Sequence, residues 1–115
     1  MELLNIVSQM DSMILQGQIP QAVEQFFAAN AVTKDFDGTE TKNKTEMLQK
    51  MDTFLGGIQN VNGITLHHAV VNDRVSMSEF TFDFDMKDGS KILWHEIIRR
   101  EWQDGKVVNE QYFKN

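Results

Sequence analysis

From about Ile64 onward, apolar residues recur every second position instead of every third or fourth. Ile64, Leu66, His68 and Val70 alternate with Thr65, His67, Ala69 and Val71, and the turn pair Asn72-Asp73 follows. Phe80, Phe82, Phe84 and Met86 then alternate with Glu79, Thr81, Asp83 and Asp85, the pattern of a half-buried strand. Asp88-Gly89 and Asp104-Gly105 are strong hairpin signals, so the stretch Ile92 to Tyr112 reads as two long strands joined by the second of them. The last strand runs from Lys106 to about Phe113. Four strands in a meander, each with one apolar face, cannot fold without something to cover that face.

The N-terminal half supplies the cover. Leu3, Ile6, Val7, Met10 and Ile14 form the stripe of an amphipathic helix over Glu2 to Gln16, and Gly17 can end it in a left-handed conformation. Pro20 suits the first turn of a second helix, whose apolar side is Val23, Phe26 and Phe27 and which is expected to end near Asn30. Ala31 to Phe36 is a short strand candidate closed by Asp37-Gly38. Asn43 and Glu46 form a variant capping box before a third helix carrying Met47, Leu48, Met51, Phe54 and Leu55, stopped by Gly56-Gly57. Helices segregated from long antiparallel strands define an α+β fold. With no repeat or linker in its 115 residues, the chain reads as one domain, 1–115.

The charge balance narrows the partners. Seventeen acidic residues against eleven basic ones give a net charge of −6, and no Lys/Arg cluster offsets it. Such a surface repels phosphate backbones and anionic membranes, so neither nucleic acid nor a membrane is an expected partner. There are no cysteines, which removes disulfides, thiolate metal sites and cysteine nucleophiles. Neither a signal peptide nor a long apolar span is visible, and a cytoplasmic location is the expectation. The three histidines form no HxH pair and no HExxH motif, and no phosphate loop or nucleophile elbow is present. The expectation is that the protein works without a metal or a cofactor.

Parity assigns the faces. Phe80, Phe82 and Phe84 look inward, and Trp94 and Trp102 share the parity of Ile92 and Ile98, so Glu96 and Arg100 look inward too. On the last strand Val108, Glu110 and Tyr112 form the matching set, unless a bulge shifts the phase. Glu96, Arg100 and Glu110 are therefore the main constellation. One reading makes Glu96 and Glu110 partly desolvated carboxylates with raised pKa values, able to act as general acid or base. The other makes Arg100 a brace between the two glutamates. His68, in phase with Leu66 and Val70, is a further acid–base candidate, while His67 and His95 fall on the outer face. Trp94, Arg100, Tyr112 and Phe82 are the expected ligand-binding residues, with Lys34 and Asp35 as further pocket candidates. Leu93, Ile97, Val71 and Val107 are expected on the outer face, where an apolar patch of that kind marks a homodimer interface.

Three stretches carry a family likeness. Phe26-Phe27-Ala28-Ala29-Asn30-Ala31-Val32, the polar lead Thr41 to Met47, and Trp102-Gln103-Asp104-Gly105-Lys106-Val107-Val108 together resemble the nuclear transport factor 2-like superfamily, in particular its SnoaL-like (polyketide-cyclase-like) domains. Asn30 stands where an Asp is common and Asn43 where a Gly is common; both are fold punctuation and not catalytic signatures. The resemblance implies three helices in the concave face of a strongly curved, mostly antiparallel sheet, with a pocket at the wide end of the cone. It also implies homodimers through the outer sheet face, and enzymes that pair a pocket carboxylate or histidine base with a Tyr or protonated acid donor. The fold hosts isomerases, cyclases, dehydratases, hydrolases and non-catalytic binders. Two functions are therefore expected candidates. One is a cofactor-independent acid–base enzyme on a small apolar molecule; the other is a ligand-binding or dimerisation module with a structural Glu-Arg-Glu brace.

Overall fold

A computed structural model describes residues 2–114. Helix α1 covers Leu3–Leu15 and buries Val7, Met10, Asp11 and Ile14; the chain then turns at Gly17, whose φ of 80° suits glycine. Helix α2, Ile19–Phe26, carries Pro20 in its first turn and buries Ala22, Val23 and Phe26. Strand β1, Phe27–Lys34, begins at the very next residue, with no loop between. Strand β2 is only Glu40–Thr41, and helix α3 covers Lys44–Gly56. The long strands are β3 (Ile58–Asn72), β4 (Val75–Met86), β5 (Lys91–Gln103) and β6 (Lys106–Lys114). Among the described residues no helix is long and apolar enough to cross a membrane.

All six strands form one sheet in the order β2-β1-β6-β5-β4-β3. Only the β1–β6 pair is parallel. The three helices share one face of the sheet, and Phe80, Phe82, Phe84, Ile98 and Trp102 join their buried stripes in a single core. This is the α+β arrangement that the two periodicities imply. The capping box is present as read: Asn43 Oδ1 accepts from the Glu46 N–H at 2.8 Å, and Asn43 Nδ2 donates to Glu46 Oε2 at 3.1 Å.

Strand β1 starts four residues before the expected Ala31 and stops short of Phe36. The helix-favouring run Ala28-Ala29 is held extended by pairing with β6, from Phe27 opposite Val107 to Lys34 opposite Gln111. Tertiary pairing overrides local propensity there. Strand β2 has too few residues to show any alternation.

Two register breaks change which side chains face the core. Between Leu66 and His68 the β3–β4 pairing slips by one residue. Ile64 and Leu66 point inward as expected, but beyond the slip it is Ala69 and Val71 that pack on the core. His68 and Val70 are turned out, with Val70 61% exposed. A second slip, between Glu101 and Trp102 in the β5–β6 pairing, sets Val107 opposite Trp102. Val107 is fully buried and Val108 is turned away from the core, the reverse of the parity expectation. Each bulge inserts one residue and flips everything beyond it. Val71 and Val107 therefore leave the expected outer patch, while Leu93 and Ile97 stay in it with Val70, Met77 and Phe113 beside them.

Candidate functional site

The inner faces of β5 and β6 meet α1 around a buried guanidinium. Arg100 is 0% exposed. Its Nη1 lies 2.9 Å from Asp11 Oδ1 and its Nε 3.1 Å from Glu110 Oε2, and both carboxylates are buried. The other Asp11 oxygen accepts from Ser78 Oγ at 2.6 Å, and the other Glu110 oxygen accepts from the Tyr112 hydroxyl. Charge and hydrogen-bond capacity are thus nearly satisfied; among the described residues Nη2 of Arg100 finds no partner. Burial works against the Arg100 charge, but Asp11 and Glu110 outweigh it and raise the pKa. Burial pushes the Glu110 carboxyl up, opposed by Arg100 and Tyr112, and pushes the Tyr112 phenol well above its ordinary range, helped by Glu110.

The brace foreseen between Glu96, Arg100 and Glu110 is therefore corrected in one member. Asp11, from the first helix, takes the place expected of Glu96. Among the described residues Glu96 has no side-chain hydrogen bond or ion pair. It sits half-buried on β5, opposite Phe80 on one side and Lys114 on the other. Burial, then the negative charges of Glu110 and Asp35, push its pKa up from 4.5 to about 7, with Lys114 pulling the other way.

Glu96 borders a cavity of about 220 Å³ between the helices and the sheet. Its walls are mostly apolar: Met10 and Ile14 of α1, Val23 of α2, Met51 and Phe54 of α3, and Phe82 and Phe84 of β4. Trp94, Arg100, Glu110 and Tyr112 also line it, so every expected ligand-binding residue reaches this one space. Trp94 stacks on Phe54, ring centroids 5.5 Å apart and planes 17° from parallel. The exposed lining residues Phe36 and Lys50 mark the mouth. Asp35 lines it as well and is paired with Lys50, whereas Lys34 does not. Trp102 lies deeper in the core, donating from Nε1 to Ser76 Oγ at 2.9 Å.

His68 is the acid–base candidate that falls away. Beyond the β3 bulge it stands on the outer face with its side chain 81% exposed, 3.1 Å from Glu79. His95 approaches the same carboxylate at 2.6 Å, and His67 contacts Thr81 at 2.7 Å. His95, then His68, hold the Glu79 carboxyl below its usual range. Among the described residues, no group of three or more His, Asp or Glu is arranged to hold a metal ion.

Two contributors escaped the reading of the sequence. Asp11 is one residue beyond Met10 and three before Ile14, within the buried arc of α1, so its phase gave the signal. Lys114 shares the parity of Glu110 and Tyr112 and closes the row on β6.

No protein-family model matches the chain, and no curated protein sequence does. Solved structures do match in shape. A candidate SnoaL-like polyketide cyclase from Mesorhizobium loti superposes with a TM-score of 0.88 at 20% identity, covering 98% of this chain and 99% of that one. An NTF2-like protein of unknown function from Burkholderia pseudomallei gives 0.82 at 9% identity, over 100% and 92%. An LEH-like epoxide hydrolase from M. tuberculosis gives 0.77 at 11% identity, over 98% and 82%. The chain has the nuclear transport factor 2-like fold. At these identities the likeness is one of fold.

The geometry of the brace makes a direct prediction. Replacing Asp11 by Ala leaves the Arg100 charge buried beside a single carboxylate, and should lower unfolding stability by about 3–5 kcal/mol. Urea denaturation at neutral pH measures it. A loss below about 1 kcal/mol would place the pair among interactions of surface strength and remove it as the structural centre.

Proposed function

We propose that the protein is a cofactor-independent acid–base enzyme acting on a small, largely apolar molecule, with Glu96 as the proton-transferring group. The observation that carries this reading is a carboxyl with a pKa of about 7 and no fixed partner, bordering an apolar cavity. A general base works best when its pKa lies near the working pH, because it is then substantially ionised and still basic enough to accept a proton. Glu110 is assigned a different task from the one its sequence suggests. Held by Arg100 and Tyr112, it fixes the wall of the cavity and adds negative charge that keeps the Glu96 pKa high. Proton transfer at carbon is a step shared by isomerisation, cyclisation and dehydration.

A binding module without catalysis is the second reading. It is favoured by the mutual pairing of Asp11, Arg100 and Glu110, in which the ions serve the fold. The two readings part on one residue.

Incubation of 2-indanone and 2-tetralone in D2O measures carbon proton transfer without knowledge of the natural substrate. After subtraction of the solvent rate, the exchange catalysed by the protein should rise with pH through a midpoint near 7, since the basic form is the ionised one. Glu96→Gln should reduce it by about 100-fold or more. Exchange unchanged in Glu96→Gln would remove the enzyme reading and leave the binding one.

We also propose that two copies pair through the outer sheet face. Leu93 at 63% exposure, Val70 at 61% and Phe113 at 46% lie there with Met77 and Ile97, an apolar grouping that favours burial. Sedimentation at micromolar concentration should give twice the chain mass, and Leu93→Glu combined with Ile97→Glu should return it to the chain mass. A monomer in the unmodified protein would contradict the interface.

A further inference from the structure

Lys114 ends β6 at the rim of the cavity, and its ammonium is held in an unusual way for a lysine. Nζ lies 3.9 Å from the centroid of the Phe36 ring and 3.9 Å from that of Trp94. Phe36 is 58% exposed at the mouth, while Trp94 belongs to the inner wall. The cation therefore bridges the rim and the interior. Among the described residues no carboxylate lies within 4 Å of it; Glu96 is its partner across the strands, and Asp35, next to Phe36 in the chain, is engaged by Lys50. Two ring faces and a nearby half-buried carboxylate make a seat that selects positive charge.

We propose that the cavity binds an amphipathic alkylammonium ion, its head displacing Lys114 from between Phe36 and Trp94 and its tail entering the apolar interior. Lys114 already shows that a primary ammonium on an alkyl stem fits between the rings. Because rings rather than a direct ion pair hold it, its release to water is easy. Behind the seat the walls are Met51, Phe82 and Phe84, which suit a hydrocarbon tail. A dry cavity of roughly 150 Å³ admits benzene, so the 220 Å³ here has room for a six-carbon chain.

Other ligand charges fit less well. Arg100 stands between two carboxylates, Asp11 and Glu110, so an anion entering the interior would meet negative charge on both sides of that cation. The net charge of −6 favours the approach of cations over anions. A neutral ligand would use the walls and leave the ring seat to Lys114. The proposal goes beyond the enzyme reading, since it needs the Glu96 carboxylate as a neighbouring charge and not as a base.

Calorimetric titration at pH 8 with n-hexylammonium, 1-hexanol and hexanoate separates head charge from tail. Hexylammonium should bind at least about 10-fold more tightly than either of the others. Lys114→Ala should tighten hexylammonium binding about 3-fold or more by removing the internal competitor, and Phe36→Leu should weaken it by a similar factor. Both positions lie at the rim, outside the buried core. Equal binding of the alcohol or the carboxylate overturns the proposal, as does absence of hexylammonium binding. Binding that ignores both substitutions is general attraction to an acidic protein and overturns it equally. None of these outcomes depends on the proton exchange assigned to Glu96.

Discussion

Arg100 ties the first helix to the last two strands through charged hydrogen bonds, buried from solvent. Asp11 brings α1 to one side of the guanidinium and Glu110 brings β6 to the other, while Ser78 of β4 fixes the free oxygen of Asp11. A buried ion pair adds little net stability compared with a well-packed apolar substitute, because desolvation offsets the attraction. What it does is make misplacement costly. Any arrangement that moves α1 along the sheet strands a charge in the core, so the helix has one docking position. In that position Met10 and Ile14 line the cavity together with Phe82 and Phe84.

The same network sets the chemistry of its neighbour. Glu110 acts on Glu96, which among the described residues has no side-chain hydrogen bond of its own. Its raised pKa follows from burial first and from Glu110 second. A carboxyl whose pKa is higher in the folded than in the unfolded chain favours folding while it is protonated. That contribution is fully present below about pH 4.5 and is lost as pH rises through about 7. Lys114 works in the opposite direction, which couples the occupant of the ring seat to the protonation of Glu96.

Much of this was legible in the chain. The change from helical to alternating spacing, the turn pairs at Asp73, Gly89 and Gly105, and the Asn43 cap are local signals, and local physics determines them. The inner faces of β4 and of β5 followed from parity, so Trp94, Glu96, Arg100 and Phe82 were placed correctly. Parity failed where a bulge intervened, at His68 on β3 and at Val107 on β6. A bulge is decided by the pairing of one strand with its neighbour, and nothing in the bulged strand alone announces it. Asp11 shows the opposite case. Its phase on α1 and the small hydroxyls Ser76 and Ser78 in line with Phe80 both announced a polar core, and only their conjunction across the fold identified the brace.

Glu96 is a half-buried carboxyl that, among the described residues, the brace leaves without a partner. Its side-chain carbon resonance, followed by NMR from pH 4 to pH 9 with Glu96→Gln for assignment, reads that state directly. A midpoint near 7 is predicted. A midpoint near 4.5, the value of an ordinary glutamate, would contradict it.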